Sequence, residues 1–223
     1  MRDFAEIYGI AAARKGGEAA LEDMLVRPLS KDQLAQTKDD RWLSTMAKCL
    51  FQAGFNWKVI DAKLEGFEAT FDGFEPKRVA YYDDGALDRL LSDKRIVRNG
   101  AKIKAVIENA AFLVDLAKEH GSAARFFADW PEEDYIGLLD LLGKRGSRLG
   151  GVTGQRVLRD MGKDSFILSN DVTARLIAEG VVDKAPSSKR DMAAVQDAFN
   201  LWREESGRSL TEISRVLAMS VGA

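Results

Sequence analysis

A glycine-rich segment with basic residues close to it is the first feature of the sequence that could do chemistry. It runs from Gly146 to Gly154, with the sequence GSRLGGVTG, and a helical pattern resumes from Gln155 to Met161. Glycines let backbone N–H groups approach a phosphate, and a helix start adds a partial positive charge. Basic residues surround the turn: Lys144, Arg145, Arg148, Arg156 and Arg159. We therefore predict a phosphate-binding helix-turn-helix segment, with a plain turn between two helices as the alternative.

A second basic segment, Lys94 to Lys104, has the sequence KRIVRNGAKIK and contains no acidic residue. Its Asn-Gly turn leads into a helical pattern, so cationic side chains and a helix start occur together. Such a segment can clamp a backbone phosphate. We predict that Arg98, Asn99 and Lys102 contact DNA. A cationic helix start on the surface, without a ligand, is the alternative.

Aromatic and amide side chains gather in a third segment, Gln52 to Trp57, with the sequence QAGFNW. Enzymes that act on a flipped base need an aromatic face for stacking and polar groups that hydrogen-bond to the base edge. Trp57 could supply the face, and Gln52 and Asn56 could supply the amides. The alternative is ordinary packing at a helix junction, where large aromatic side chains are usually buried.

Three segments together resemble a known family. They are QAGFNWKVI from residue 52, FDGFEPKRVA from residue 71 and IVRNGAKI from residue 96. In order and spacing they closely resemble the bacterial 3-methyladenine DNA glycosylase I family, within the helix-hairpin-helix DNA glycosylase superfamily. The resemblance covers about residues 39–220 and is specific over 52–109. It implies an all-α, two-lobed helix-hairpin-helix glycosylase fold for residues 39–223, after an N-terminal helical extension over residues 1–38.

The resemblance implies a base pocket. Trp57 falls on the family's pocket tryptophan, which stacks on the flipped base, and Gly54 and Phe55 fall where the family fills the gap left in the duplex. Cys49, eight residues before Trp57, stands where the family has its base-reading glutamate. The carboxylate for a methylated adenine is therefore missing at this position. The expected pocket residues are Trp57, Cys49, Gln52, Phe55 and Asn56.

The resemblance also implies a DNA-binding surface, because the segment from Lys144 is similar to the start of the superfamily's hairpin. Backbone groups of the glycine turn and the nearby cations would hold phosphates there, together with the turn around Arg98. The expected DNA-binding residues are Gly54, Arg98, Asn99, Lys102, Lys144, Arg145, Arg148, Gly150, Gly151, Val152 and Gly154.

A catalytic aspartate is only partly matched by the resemblance. The wider superfamily carries one in a segment that aligns with residues 166–172, but the alignment places Ser169 at this position and Asp171 two residues away. Asp171 is our candidate, and the glycosylase I family itself works without this aspartate. The lysine with which bifunctional relatives form a Schiff base aligns with Gln155, and an amide cannot act as that nucleophile. The resemblance thus implies a monofunctional enzyme that uses water and does not cleave the strand.

The period of the apolar residues is helical almost everywhere, and the few β-branched runs are too short for a sheet. We therefore predict an all-α protein. One helix is expected to begin at Asp39 and end near Ala53, before Gly54, and a second to restart around Trp57 and extend to Phe67. Further helices are predicted at 101–116, 172–177, 190–202 and 209–219.

Composition excludes several classes of protein. The 223 residues contain 33 Lys+Arg and 35 Asp+Glu, a formal charge of −2, so global basicity gives no indication of nucleic-acid binding. One Cys and one His cannot form an internal disulfide or the four-ligand zinc site of the family. No apolar run approaches the length of a membrane span. We expect a cytoplasmic monomer without a metal or other cofactor.

These observations favour a monofunctional DNA glycosylase that excises an alkylated, 3-methyladenine-like base from duplex DNA in base excision repair. Its partner would be double-stranded DNA with a damaged base. The alternative is a helix-hairpin-helix DNA-binding protein that is inactive or has a different specificity, for which Cys49 in place of the glutamate is the main support. A helical scaffold unrelated to DNA is a third possibility.

Overall fold

The computed structural model describes residues 1–222, which form helices and turns and contain no strand, so the all-α prediction is confirmed. The α-helices of this part of the chain are α1 (Phe4–Lys15), α2 (Glu18–Glu22), α3 (Lys31–Ala35), α4 (Asp39–Gln52), α5 (Trp57–Asp61), α6 (Leu64–Thr70), α7 (Pro76–Val79), α8 (Asp84–Ser92), α9 (Gly100–His120), α10 (Ala123–Asp129), α11 (Tyr135–Arg145), α12 (Val152–Asp160), α13 (Asn170–Ala178), α14 (Lys189–Ser206) and α15 (Leu210–Met219).

The chain forms two compact units. One comprises Met1–Leu29, Pro131–Leu138 and the residues from Gly162 onward, and the other comprises Ser30–Trp130 and Leu139–Met161. The second unit contains all of the expected pocket and DNA-binding residues. The first contains Asp171.

The core of the unit that begins at Ser30 is organised by α4, which packs against α9, α10 and α12. Its inward side chains follow the 3.6-residue period predicted for a helix from residue 39. Trp42 is fully buried and stacks on Phe127 of α10, with 4.1 Å between the ring centroids. The carboxylate of Asp39 accepts hydrogen bonds from the first amides of α10, which ties the start of α4 to this neighbour.

The segment after α4 differs from the prediction. Gly54 follows the helix with a φ of 68°, a left-handed conformation that glycine adopts easily. The chain then forms two short helices, α5 and α6, instead of the single one expected from Trp57 to Phe67. Val59 is 39% exposed, whereas the next residue, Ile60, is fully buried. A five-residue α5 turns its apolar residues to both sides, so periodicity over so few residues does not identify the buried face.

The unit that contains Met1 includes the N-terminal residues as part of its core. Phe4, Ile7 and Ala11 of α1 are buried, and α1 packs against α14 and α15. The indole Nε1 of Trp202 donates to the carbonyl of Arg2 at 3.2 Å. Residues 1–29 thus pack closely within this unit, and the proposed division of the chain at residue 38 stays a prediction.

No helix among the described residues is both long enough and apolar enough to cross a membrane.

Candidate base pocket and DNA-binding hairpin

Three side-chain contacts join α4, α5 and α12 around Trp57. The Cys49 thiol lies 3.9 Å from a carboxylate oxygen of Asp160. The Gln52 amide Nε2 donates to Asp61 at 2.9 Å. The third contact places the guanidinium of Arg156 over the Trp57 ring. We call this group the Trp57 cluster; its members are Cys49, Gln52, Trp57, Asp61, Arg156 and Asp160.

Helical spacing explains why these contacts form one group. Each pair on a given helix is three or four residues apart, so both members lie on the same face of that helix. The pairs are Cys49 and Gln52 on α4, Trp57 and Asp61 on α5, and Arg156 and Asp160 on α12.

Trp57 presents an accessible aromatic ring. It stands at the first position of α5 and is 44% exposed. The guanidinium carbon of Arg156 lies 3.8 Å from the ring centroid, which is the distance of direct cation–π stacking. One face of the indole therefore already holds a planar cation.

Cys49 is a buried, neutral thiol. It is 3% exposed, and burial together with the charge of Asp160 raises the pKa of Cys49 to about 12. Asp160 also lies 3.7 Å from the ammonium of Lys48. A carboxylate from α12 is thus next to the position where the family resemblance expects a glutamate on α4.

We predict that Cys49 in the native protein reacts with iodoacetamide at pH 8 roughly a thousandfold more slowly than in the unfolded chain. The thiolate is the reactive species, and a raised pKa reduces its population. The rate is measured by mass spectrometry with and without denaturant. Rapid labelling of the native protein would contradict the buried position of this thiol.

The remaining pocket candidates have different environments. Gln52 is 4% exposed, and its amide oxygen is buried without a hydrogen-bond partner. Asn56 caps α5, its side chain accepting from the amide of Lys58 at 3.0 Å. Phe55 is 46% exposed beside Gly54. Gln52 therefore has an unused acceptor, Asn56 positions Trp57, and Phe55 is free to meet a partner surface.

The glycine turn between α11 and α12 is a compact hairpin held from α9. Asn109 is fully buried and clasps the backbone of Ser147, accepting from its N–H at 2.7 Å and donating to its carbonyl at 3.0 Å. Arg148 and Gly151 have φ values of 57° and 60°. The left-handed conformation costs energy for a residue with a side chain, such as Arg148. The two hydrogen bonds between Asn109 and the preceding residue, Ser147, help to hold Arg148 in this conformation.

The second helix of the hairpin begins earlier than predicted, at Val152 instead of Gln155. Gly154 lies inside its first turn. A Cβ atom at this position would be 2.3 Å from the carbonyl oxygen of Leu149. The glycine allows close packing of the turn. The glycines from Gly146 to Gly154 were predicted to lie outside the helices, and this assignment was wrong for Gly154.

Some of the cations near the hairpin form ion pairs within the protein, and others do not. Lys144 pairs with Asp140 and Arg145 with Glu119. Arg98 and Arg148 are exposed, and neither guanidinium forms a hydrogen bond or ion pair with the described part of the chain. Available cations can contact phosphates without first breaking an internal pair. The exposed backbone of Gly150, Gly151 and Val152 stands next to them.

Lys102 and Asn99 serve the fold in this structure. The Lys102 ammonium donates to the carbonyls of Phe51 and Ala53 at the end of α4, at 3.2 and 2.8 Å. Burial and the charge of Arg148 lower the pKa of Lys102. The Asn99 side chain caps α9. These two residues hold the Arg98 turn against α4, so any contact with DNA would be added to this role.

The catalytic candidate lies in the other unit. Asp171 is exposed in the first turn of α13, and Ser169 caps that helix by accepting from the amide of Val172 at 3.2 Å. The catalytic role of Asp171 stays a prediction. Gln155, at the position of the Schiff-base lysine, is 3% exposed.

The family's zinc site does not fit the described residues. They contain no group of three or more His, Cys, Asp or Glu side chains that could hold a metal ion. His120 ends α9 against Phe126, and Cys49 is buried against Asp160.

Comparison with known proteins assigns the segment that carries Trp57. A family model described as methyladenine glycosylase matches residues 34–137. Residues 34–137 are therefore similar to the methyladenine glycosylase family. DNA-3-methyladenine glycosylase 1 of Escherichia coli is 39% identical over 59 residues, which are 26% of this chain and 32% of that protein. DNA-3-methyladenine glycosylase of Haemophilus influenzae is 28% identical over 67 residues, 30% of this chain and 36% of that protein. The match spans about a third of each relative.

Solved structures of methyladenine glycosylases share the fold. A crystal structure of 3-methyladenine DNA glycosylase I is 24% identical, and the alignment covers 65% of this chain and 87% of that chain with a TM-score of 0.51. The corresponding values for 3-methyladenine DNA glycosylase I from Staphylococcus aureus are 23%, 65%, 84% and 0.51. These similarities confirm the all-helical glycosylase fold.

The sequence-based prediction did not include four residues of this site: Asp61, Asn109, Arg156 and Asp160. Arg156 was considered only as a cation near the glycine turn. The four-residue spacing of Arg156 and Asp160 indicates a shared helix face, but the sequence contains no signal that this face meets Trp57.

Proposed function

We propose that this protein is a DNA glycosylase that excises an alkylated, 3-methyladenine-like base from duplex DNA. The observation that carries the proposal is the exposed ring of Trp57, within a segment similar to the methyladenine glycosylase family, with a planar cation stacked on it. A base methylated at a ring nitrogen in DNA is also a planar cation. The same ring face would attract it by about 0.5–2 kcal/mol beyond neutral stacking.

Excision of an alkylated base needs little catalytic help from the protein beyond binding the flipped base. The positive charge of the alkylated base makes it a good leaving group, so the bond from sugar C1′ to the base breaks with its electron pair moving to the base. Water then adds to C1′ and releases a proton. Flipping costs a few kcal/mol and is easiest where pairing is damaged. Asp171 stays our proposed catalytic residue.

We propose that the hairpin and the Arg98 turn bind the phosphates of the duplex. Arg98 and Arg148 are unpaired within the described chain, and the N–H groups at Gly151 and Val152 precede or begin α12. Phosphate contacts of this kind position the duplex without reading its sequence. Base selection would then depend on the Trp57 cluster.

We also propose that the enzyme is monofunctional. Gln155 carries an amide at the position of the Schiff-base lysine, and an amide cannot displace the base covalently. The product would be an abasic site in an unbroken strand. Borohydride treatment during the reaction is therefore expected to trap no protein–DNA complex.

The proposal is tested by incubating the protein with methylated duplex DNA and separating the released bases by chromatography. We expect free 3-methyladenine to accumulate with time. Retention of duplex without any released base would instead identify a DNA-binding protein that has lost the chemistry. If the protein neither binds duplex nor releases a base, the glycosylase and the DNA-binding proposals are both wrong.

A further inference from the structure

Arg156 occupies the ring face that a flipped base would need. We propose that Arg156 competes with the base for Trp57 and thereby sets the affinity of the pocket. The inference rests on the proposed function in one respect, because it assumes that this face of Trp57 is the base site. It assigns to Arg156, on the second helix of the hairpin, a role in setting how tightly the pocket binds a base.

The distance between the two groups excludes simultaneous stacking. The guanidinium carbon is 3.8 Å from the ring centroid, which corresponds to one layer of contact between carbon atoms. A planar base between them would require about twice this separation. A base on this face of Trp57 must therefore displace the guanidinium of Arg156, because it does not fit between the guanidinium and the ring.

The guanidinium is held in a way that makes it replaceable. It forms no hydrogen bond or ion pair with the described part of the chain, and its Nε is buried without a partner. Asp160 lies four residues further along α12, at a spacing that often forms a pair, but its carboxylate is 3.7 Å from Lys48. Only stacking and packing hold the Arg156 guanidinium over Trp57. Another planar group, such as a base, can make the same contacts with the ring.

A second observation in the Trp57 cluster indicates that the ligand carries a hydrogen-bond donor on its edge. Gln52 is 4% exposed, and its Oε1 is buried without a donor, while its Nε2 is fixed by Asp61. A buried acceptor without a partner is costly. A ligand that is planar and carries an N–H donor on its edge would satisfy this acceptor, and an adenine-type base with its exocyclic amino group meets both requirements.

The test is calorimetric titration of the purified protein with free 3-methyladenine. We expect Arg156→Ala to bind the base about 2- to 30-fold more tightly than the wild-type protein, because the competing cation–π contact is gone. Arg156→Ala should bind free adenine more tightly by a similar factor, because adenine must displace the same Arg156–Trp57 contact. Arg156→Lys keeps the charge but not the planar group and should show a smaller gain.

A spectroscopic readout accompanies the titration. Of the four tryptophans, Trp57 is the most exposed at 44%, Trp130 is partly exposed, and Trp42 and Trp202 are fully buried. Trp57 should therefore contribute most to quenching of tryptophan fluorescence by acrylamide. Arg156→Ala should increase this quenching, and melting curves verify that both variants fold.

Several outcomes would overturn the inference. Weaker binding by Arg156→Ala would make Arg156 part of the binding site, and unchanged binding would place the base elsewhere. Absence of base binding by all three proteins would also reject it. The titration needs no excision, so a protein that binds the base but releases none from DNA would refute the proposed function and leave the role of Arg156 supported.

Discussion

Replacing Trp57 with alanine should lower the rate of 3-methyladenine release from methylated duplex by roughly 5- to 150-fold. Stacking of a base on an aromatic ring is worth about 1–3 kcal/mol, and the alanine variant removes the exposed ring at the start of α5. Binding of undamaged duplex should stay within about threefold of the wild-type value. The cations that would hold phosphates, Arg98 and Arg148, do not contact this ring.

Trp57→Phe is the matched control because it keeps an aromatic face of smaller area. We expect this variant to retain more activity than Trp57→Ala in the same chromatographic assay. Equal rates for the wild-type protein and Trp57→Ala would remove Trp57 from the base site. A parallel loss of duplex binding would show that the ring contacts DNA outside the pocket.

Gly154→Ala is expected to have the largest effect on the hairpin. The new Cβ would lie 2.3 Å from the carbonyl oxygen of Leu149, a backbone atom that cannot move without opening the turn. Overpacking of this kind typically costs about 1–3 kcal/mol or more. The variant should melt several degrees below the wild-type protein. It should also bind all duplexes more weakly, whatever their sequence, because the backbone proposed to bind phosphates is displaced.

Gly143→Ala provides the control on the adjoining helix α11. Its Cβ would meet the Cα of Gly150 at 3.8 Å, an ordinary contact, and alanine favours a helix over glycine by about 0.5–1 kcal/mol. Melting temperature should therefore stay equal or rise slightly. If Gly154→Ala were as stable as Gly143→Ala, the tight packing of the hairpin described here would be incorrect.

The sequence predicted the helices that bury a long apolar stripe. The α4 and α9 helices were identified because each repeats apolar residues over several turns, and Gly54 marked the end of α4. The short α5 and α6 were merged into one helix, since a single turn contains too few residues to establish a period. The hairpin was identified from its glycines, although the place of Gly154 inside α12 depends on the Leu149 carbonyl, which no local pattern reveals.

The candidate site was predicted in part. Trp57 was singled out from its type, its neighbours and the family resemblance, and the structure places it on the surface of α5. The contact with Arg156 joins residues about 100 positions apart in the chain. Which faces of α4, α5 and α12 meet is decided by packing of the whole unit, so the Trp57 cluster could be recognised only in three dimensions. The same is true of the Asn109 clasp.

Base excision is distinguished from DNA binding with one end-labelled, methylated duplex, by dividing a single reaction into two halves. After incubation with the wild-type protein, one half is analysed directly and the other after hot alkali. We predict an intact strand in the first half and new breaks at adenine positions in the second, because base removal leaves alkali-labile abasic sites in an unbroken strand. Identical patterns with and without the protein, under conditions in which it retains the duplex, would contradict the account.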